Sequence, residues 1–144
     1  MASSKRAREG VCLSEAEILQ TLQLSAGHTV AEIGPSRFTA ALKQAVGREG
    51  HVVAAPHPHL PDHSCDRVLI AGSWRLLADP IAALEEAARL LRHDGRLLVV
   101  EDDVDFKEML LVLEHNCFDV HRHGEAGAQC WFIEAAVSDQ SVQS

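Results

Sequence analysis

Residues 29–42 read TVAEIGPSRFTAAL, and the way this stretch is parsed decides the fold. A short apolar strand, residues 29–33, carries one acid, Glu32, and runs directly into Gly34. The period then changes. Phe38, Ala41, Leu42, Ala45 and Val46 fall at helical spacing, and Gly47 ends the helix. A strand that passes almost at once into a helix has the form of a cofactor loop shortened in its middle.

The same alternation continues on both sides. Upstream, SEAEILQTLQL places Glu17 three residues after Ser14, a capping box, with Ile18, Leu19 and Leu22 on one face. Downstream, GHVVAA and DRVLIAG read as strands. ADPIAALEEAARLLRHDG reads as a helix capped by Asp79, with Pro80 at its first position, an inner stripe of Ile81, Leu84, Ala88 and Leu91, and Gly95 as its stop. RLLVVED is a continuous apolar strand, as expected where both faces are covered. DFKEMLLVLEHN is a helix capped by Asp105 with Glu108 as partner, and Phe106, Met109, Leu110 and Leu113 form its apolar face. CFDVHRH and AQCWFIEAAV, joined by a turn at GEAG, close the chain as an antiparallel pair. Strands alternating with helices imply an α/β sheet with helices on its faces.

The 144 residues suit one domain, expected at residues 14–137 between a flexible segment, 1–13, and a disordered tail, 138–144. With 13 Lys and Arg against 21 Asp and Glu, the formal charge is −8 and no basic block occurs, which argues against nucleic-acid or anionic-membrane partners. The N-terminus has no apolar core segment of a signal peptide, and no run approaches the roughly 18 residues of a membrane span. Four dispersed cysteines without a C-x-x-C pattern read as free thiols in a reducing cytosol, so a cytoplasmic location is expected.

Taken together, these elements resemble the class I S-adenosylmethionine-dependent methyltransferases, in their small-molecule branch. TVAEIG resembles the family's first motif and VGREGHVVAA its second strand. LPDHSCDRVLIAGSWRLLADPIAALEEAARLLRHDGRLLVVE resembles the fourth strand, the following helix and the fifth strand, and the closing pair resembles the last two strands. The resemblance covers roughly residues 14–137 and implies a Rossmann-like three-layer sandwich. Its sheet would be mostly parallel with an antiparallel C-terminal pair, one helix and one strand short of the full fold. It also implies S-adenosylmethionine as cofactor, with Glu32, Gly34, Pro35 and Ser36 at the cofactor loop. Ser73 and Trp74 would stand where the family lines its substrate pocket, although Trp74 as a core plug is the favoured reading.

The chain departs from that family at three points. Where the family has a run of spaced glycines, Gly34 is followed by Pro35, Ser36 and Arg37; proline fixes φ and removes a donor. The acid that ends the family's second strand and accepts the ribose hydroxyls has no counterpart near Pro56, and losing such an acceptor costs about 1–3 kcal/mol. Finally, PHPHLPDHSC, residues 56–65, is too short and too rich in proline to supply the helix and strand the family places there. An extended strap suffices, since ten residues reach about 33 Å against a diagonal of about 20 Å. That shortcut is expected to leave one sheet face without a helix and the HVVAA strand as an open edge. A homodimer or a tight protein partner is the expected cover.

Nine histidines are many for this length. His57, His59 and His63 with Cys65 are of a type that binds zinc, but their spacing matches no recurrent zinc pattern, and exposed loop histidines are the favoured reading. His121 and His123 alternate on a strand and are expected to face solvent together, opposite Phe118 and Val120. In EDDVD, residues 101–105, carboxylates could bind a divalent cation, but helix capping and solvation explain them more simply.

Three functions are therefore carried forward. The preferred one is a non-catalytic methyltransferase-like domain that serves as a scaffold, a dimerisation unit or a small-ligand binder, with S-adenosylmethionine binding impaired. The second is a minimal active methyltransferase for a small molecule, with its site completed across a dimer. The third, more distant, is a metal-binding protein using the histidine loop.

Overall fold

The computed structural model describes residues 13–34, 37–55, 59–72, 74–102, 104–125 and 130–138. In chain order these form α1 (Glu15–Leu22), β1 (Thr29–Ile33), α2 (Thr39–Val46), β2 (His51–Ala55), β3 (Cys65–Ala71), a 3-10 turn (Trp74–Leu76), α3 (Pro80–Leu90), β4 (Leu91–Glu101), α4 (Phe106–His115), β5 (Phe118–Glu125) and β6 (Trp131–Val137). The six strands make one sheet in the order β2-β1-β3-β4-β6-β5. The first four are mutually parallel, and β6 runs antiparallel to both its neighbours.

Helices cover both faces. Ile18 and Leu22 of α1 and Leu42 and Val46 of α2 pack with Val30, Leu69, Leu98 and Val100 of the sheet on one side. Leu84, Ala87 and Leu90 of α3 and Met109 and Leu113 of α4 pack with Val68, Ile70, Leu97, Val99 and Ile133 on the other. The Ser14–Glu17 capping box forms as expected, and Asp79 and Asp105 each accept an amide N–H in the first turn of their helix.

The third helix differs from its sequence reading. It stops at Leu90, and Leu91 turns to extended backbone with φ −72° and ψ 135°. Leu91 thereby drops into the core beside Cys65 of β3, and the register slips before pairing resumes at Arg96. Gly95 lies inside β4, where a Cβ would meet the Asp66 carbonyl oxygen at 3.1 Å; it serves close strand approach and does not terminate a helix. The buried stripe of α3 is accordingly Leu84, Ala87 and Leu90, and Ile81 is exposed.

The strap between β2 and β3 contains no helix among its described residues, 59–64. On the sheet face it crosses, Ala31 and Ile33 are buried and Leu60 of the strap packs on the same cluster, while Val53 of β2 is only partly buried. The strap is clamped to α3 from both directions. Arg89 donates to the Leu60 carbonyl at 2.7 Å and to Asp62 at 3.0 Å. In return His63 donates its backbone N–H to the Arg89 carbonyl at 2.8 Å and its ring Nδ1–H to the Leu91 carbonyl at 2.8 Å. These bonds satisfy carbonyls that the end of a helix leaves without partners. The open edge remains, because β2 pairs only with β1.

At the far edge, β5 carries a bulge between Val120 and Arg122. The extra residue reverses the alternation, so His123 returns to the face of Phe118 and stacks near Phe106 with ring centroids 5.1 Å apart. His121 and His123 are both exposed, but they do not share one face as strict alternation predicts. Arg122 is turned to the opposite side, where its guanidinium bonds the buried Glu134 carboxylate at 2.9 Å and the Thr21 carbonyl at 2.9 Å.

Candidate functional site

The carboxyl ends of the parallel strands, where open α/β sheets bind their ligands, carry Glu32 of β1 with Gly34 just after it, Trp74 after β3 and Glu101 of β4. Glu32 is buried at 3% exposure. Its two oxygens are engaged by one feature, the start of α2: Oε2 accepts the Phe38 N–H at 3.1 Å and Oε1 accepts the Thr39 hydroxyl at 2.6 Å. Phe38 occupies the N-cap position and offers no side-chain bond of its own, so the strand carboxylate caps the helix in its place. Gly34 has φ +99°, a conformation that favours glycine and lets the chain turn out of β1.

Glu101, read from the sequence within EDDVD as a possible cation ligand or a solvated acid, is instead a buried neighbour of Trp74. It is buried, and Oε2 accepts the Trp74 N–H at 3.1 Å. The signal was present in the sequence: like Glu32, it is an acid at the end of a fully apolar strand, costly to bury unless it is bonded. Trp74 is half-buried. It packs on the core and also lines a cavity of about 350 Å³ with Arg75, Leu77, Pro80, Val104, Asp105 and Glu108. The opposite wall is fixed by Trp131, whose indole N–H donates to the Val104 carbonyl at 2.8 Å.

Pro35, Ser36, Ser73 and His57 lie outside the described residues. Of the other candidate metal ligands, His59 is exposed, His63 holds the end of α3, and Cys65 is fully buried, with burial pushing its thiol pKa up. Among the described residues no group of three or more His, Cys, Asp or Glu side chains is placed to hold a metal. Cys65 and Cys117 are free, whereas Cys130 is disulfide-bonded, which corrects the expectation of four free thiols. Among the described residues no helix is long and apolar enough to cross a membrane.

The position at which the family resemblance implies a ribose acceptor follows β2. From Pro56 to Pro61 the sequence has no acid, and the first one reached, Asp62, pairs with Arg89 at 3.0 Å.

Known structures share this architecture. A SAM-dependent methyltransferase from Aquifex aeolicus superposes with a TM-score of 0.71 at 20% identity, over 90% of this chain and 92% of that one. A TehB-like SAM-dependent methyltransferase from Corynebacterium glutamicum gives 0.67 at 16% identity, over 94% of each chain. The Burkholderia thailandensis 1,6-didemethyltoxoflavin-N1-methyltransferase, solved with its substrate and S-adenosylhomocysteine, gives 0.68 at 17% identity, over 87% of this chain and 76% of that one. A comparison with curated proteins returned no match. Residues 13–99 match the family model described as a methyltransferase domain. With more than half of the sequence matched by that model, the chain belongs to the methyltransferase domain family.

Proposed function

We propose that this chain is a methyltransferase-fold domain without methyl-transfer activity, retained as a small-ligand-binding and dimerisation scaffold. One observation carries the reading: the strand end that should anchor the cofactor ribose has no free acid, because the next carboxylate along the chain, Asp62, is committed to Arg89. The two oxygens of Glu32 are likewise engaged in capping α2. The competing reading, a minimal methyltransferase acting on a small molecule with its site completed across a dimer, draws support from Gly34 and from the cavity beside Trp74. Both are in place at the right end of the sheet.

A thermal-shift scan separates the two. A ligand at 100 times its Kd stabilises a protein by about 2.7 kcal/mol. We expect no shift with S-adenosylmethionine or S-adenosylhomocysteine at millimolar concentration; a clear shift with either replaces this proposal with the enzyme reading.

The dimerisation half of the proposal rests on β2, an edge of five residues with no Lys, Arg, Asp or Glu among them. Edges without Lys, Pro or a bulge are templates for pairing with a further strand. Light scattering at micromolar concentration is expected to report a dimer that Ala54→Lys converts to monomer. A wild-type monomer removes this half and leaves the ligand-binding half standing. A cytosolic setting completes the proposal. It suits the free thiols Cys65 and Cys117, while the disulfide at Cys130 weighs against it.

A further inference from the structure

We propose that two copies of this chain join β2 to β2 about a two-fold axis at Val53, so that one sheet runs through both. In that assembly the partner's His51 stands beside Ala55, at the carboxyl end of each β2. The inference rests on the dimerisation part of the reading above; it adds the register and the residue that crosses between the copies.

The free hydrogen-bonding groups of the edge fix this register. His51 donates its backbone N–H to the His28 carbonyl at 3.0 Å, so the odd-numbered residues of β2 bond β1. On β1, Thr29 turns its N–H the other way, to the Asp66 carboxylate of β3 at 2.9 Å, as that alternation requires. Val52 and Ala54 therefore present their N–H and C=O groups to the open edge. The row of donors is closed at both ends. The Gly50 N–H is taken by the Gly47 carbonyl at 3.3 Å, and residue 56 is a proline, which has no N–H.

A second copy is the occupant this pattern fits. Two identical edges that meet across a two-fold axis run antiparallel. With the axis at Val53, each Val52 faces the partner's Ala54, and the two residues exchange both of their N–H···O bonds. Both outward N–H groups of each copy are then satisfied within the strands themselves. Any other centre carries part of one strand past the end of the other, against Gly50 or Pro56. The side chains agree with this register. Valine meets alanine on one face, Val53 meets its own copy on the other, and no Lys, Arg, Asp or Glu occurs in the strand to oppose a like charge. The same register sets His51 opposite the partner's Ala55. An imidazole thus comes from the other copy to the strand end where the family resemblance implies a ribose acceptor and where this chain has no acid before Asp62.

Disulfide trapping reads the register directly, in a Cys117→Ser background that removes the exposed free thiol. The two Val53 Cα atoms would lie about 4.5 Å apart, within reach of a disulfide, and the two Ala54 Cα atoms about 8–9 Å apart, beyond it. Val53→Cys is therefore expected to give a linked dimer as its main product with oxidised glutathione, which takes up the two electrons and two protons. Ala54→Cys should stay largely unlinked. Mixing His51→Cys chains with Ala55→Cys chains should give a linked heterodimer. One measurement needs no substitution: in the wild-type dimer the Val52 and Ala54 amides should exchange hydrogen about tenfold more slowly than after dilution to monomer. A dimer by light scattering in which Val53→Cys stays unlinked, Ala54→Cys links more readily, or the Val52 and Ala54 amides gain no protection overturns this proposal and leaves the dimerisation reading standing. A wild-type monomer removes both.

Discussion

Leu98→Ala is expected to destabilise the domain by about 3–5 kcal/mol, the largest effect of any substitution considered for this chain. Leu98 lies at the centre of β4 with 1% exposure, packed into the core on the α1 and α2 side. Truncation removes its transfer free energy and leaves a void that a central strand, paired on both sides, cannot close by moving. Domains of this kind have about 5–15 kcal/mol in hand, so the variant is expected to unfold at far lower urea or to be recovered partly unfolded. Leu111→Ala is the matched control. It makes the same chemical change on α4, where the side chain is 55% exposed, and should stay within about 0.5 kcal/mol of wild type. Equal urea midpoints for the two variants would contradict the placement of β4 in the middle of the sheet.

Glu32→Ala is expected to cost about 2–4 kcal/mol, read as a urea midpoint lowered by roughly 1–2 M. The carboxylate holds the Phe38 N–H and the Thr39 hydroxyl across the turn out of β1, and α2 has no side-chain cap of its own. Removal leaves a buried amide donor without a partner and the start of the helix without a compensating negative charge. Glu32→Gln keeps one acceptor and is expected to lose about half as much. If Glu32→Ala proved as stable as wild type, the acid would have been retained for some purpose other than structure. The enzyme reading would then gain what the scaffold reading lost.

The elements that could be read in the sequence are those governed by neighbours in the chain. The Ser14–Glu17 box, the Asp79 and Asp105 caps and the change of period after Gly34 all depend on residues a few positions apart, and all appear in the structure, as does the closing pair of consecutive strands. What could not be read depends on distant partners. The end of α3 is set by β3, which draws Leu91 into register with Cys65 twenty-six positions earlier (91 − 65 = 26). Local pattern alone would have carried that helix on to Gly95. His63 looked like a possible ligand because its partner, the Leu91 carbonyl, lies across the fold. The bulge after Val120 leaves no local mark, yet it decides which face His123 joins.

The candidate site was legible in part. Glu32, Gly34 and Trp74 are site residues only as the family resemblance implies, while the cavity draws its other wall from the start of α4, thirty residues beyond Trp74 at Val104 (104 − 74 = 30). No spacing rule joins those two segments. Glu101 was within reach, since it repeats the situation of Glu32 one strand further on.

The clamp on the strap has a consequence for how the molecule is made. Leu60, Asp62 and His63 are fastened by Arg89 and Leu91, which leave the ribosome later than the residues they secure. Until then only β1, β2 and β3 are available to pair, a small sheet whose strap is not yet fastened. The strap is secured only when the end of α3 and the start of β4 arrive, with β4 pairing onto β3. A polypeptide ending before Arg89 would be expected to remain uncompacted and to engage chaperones.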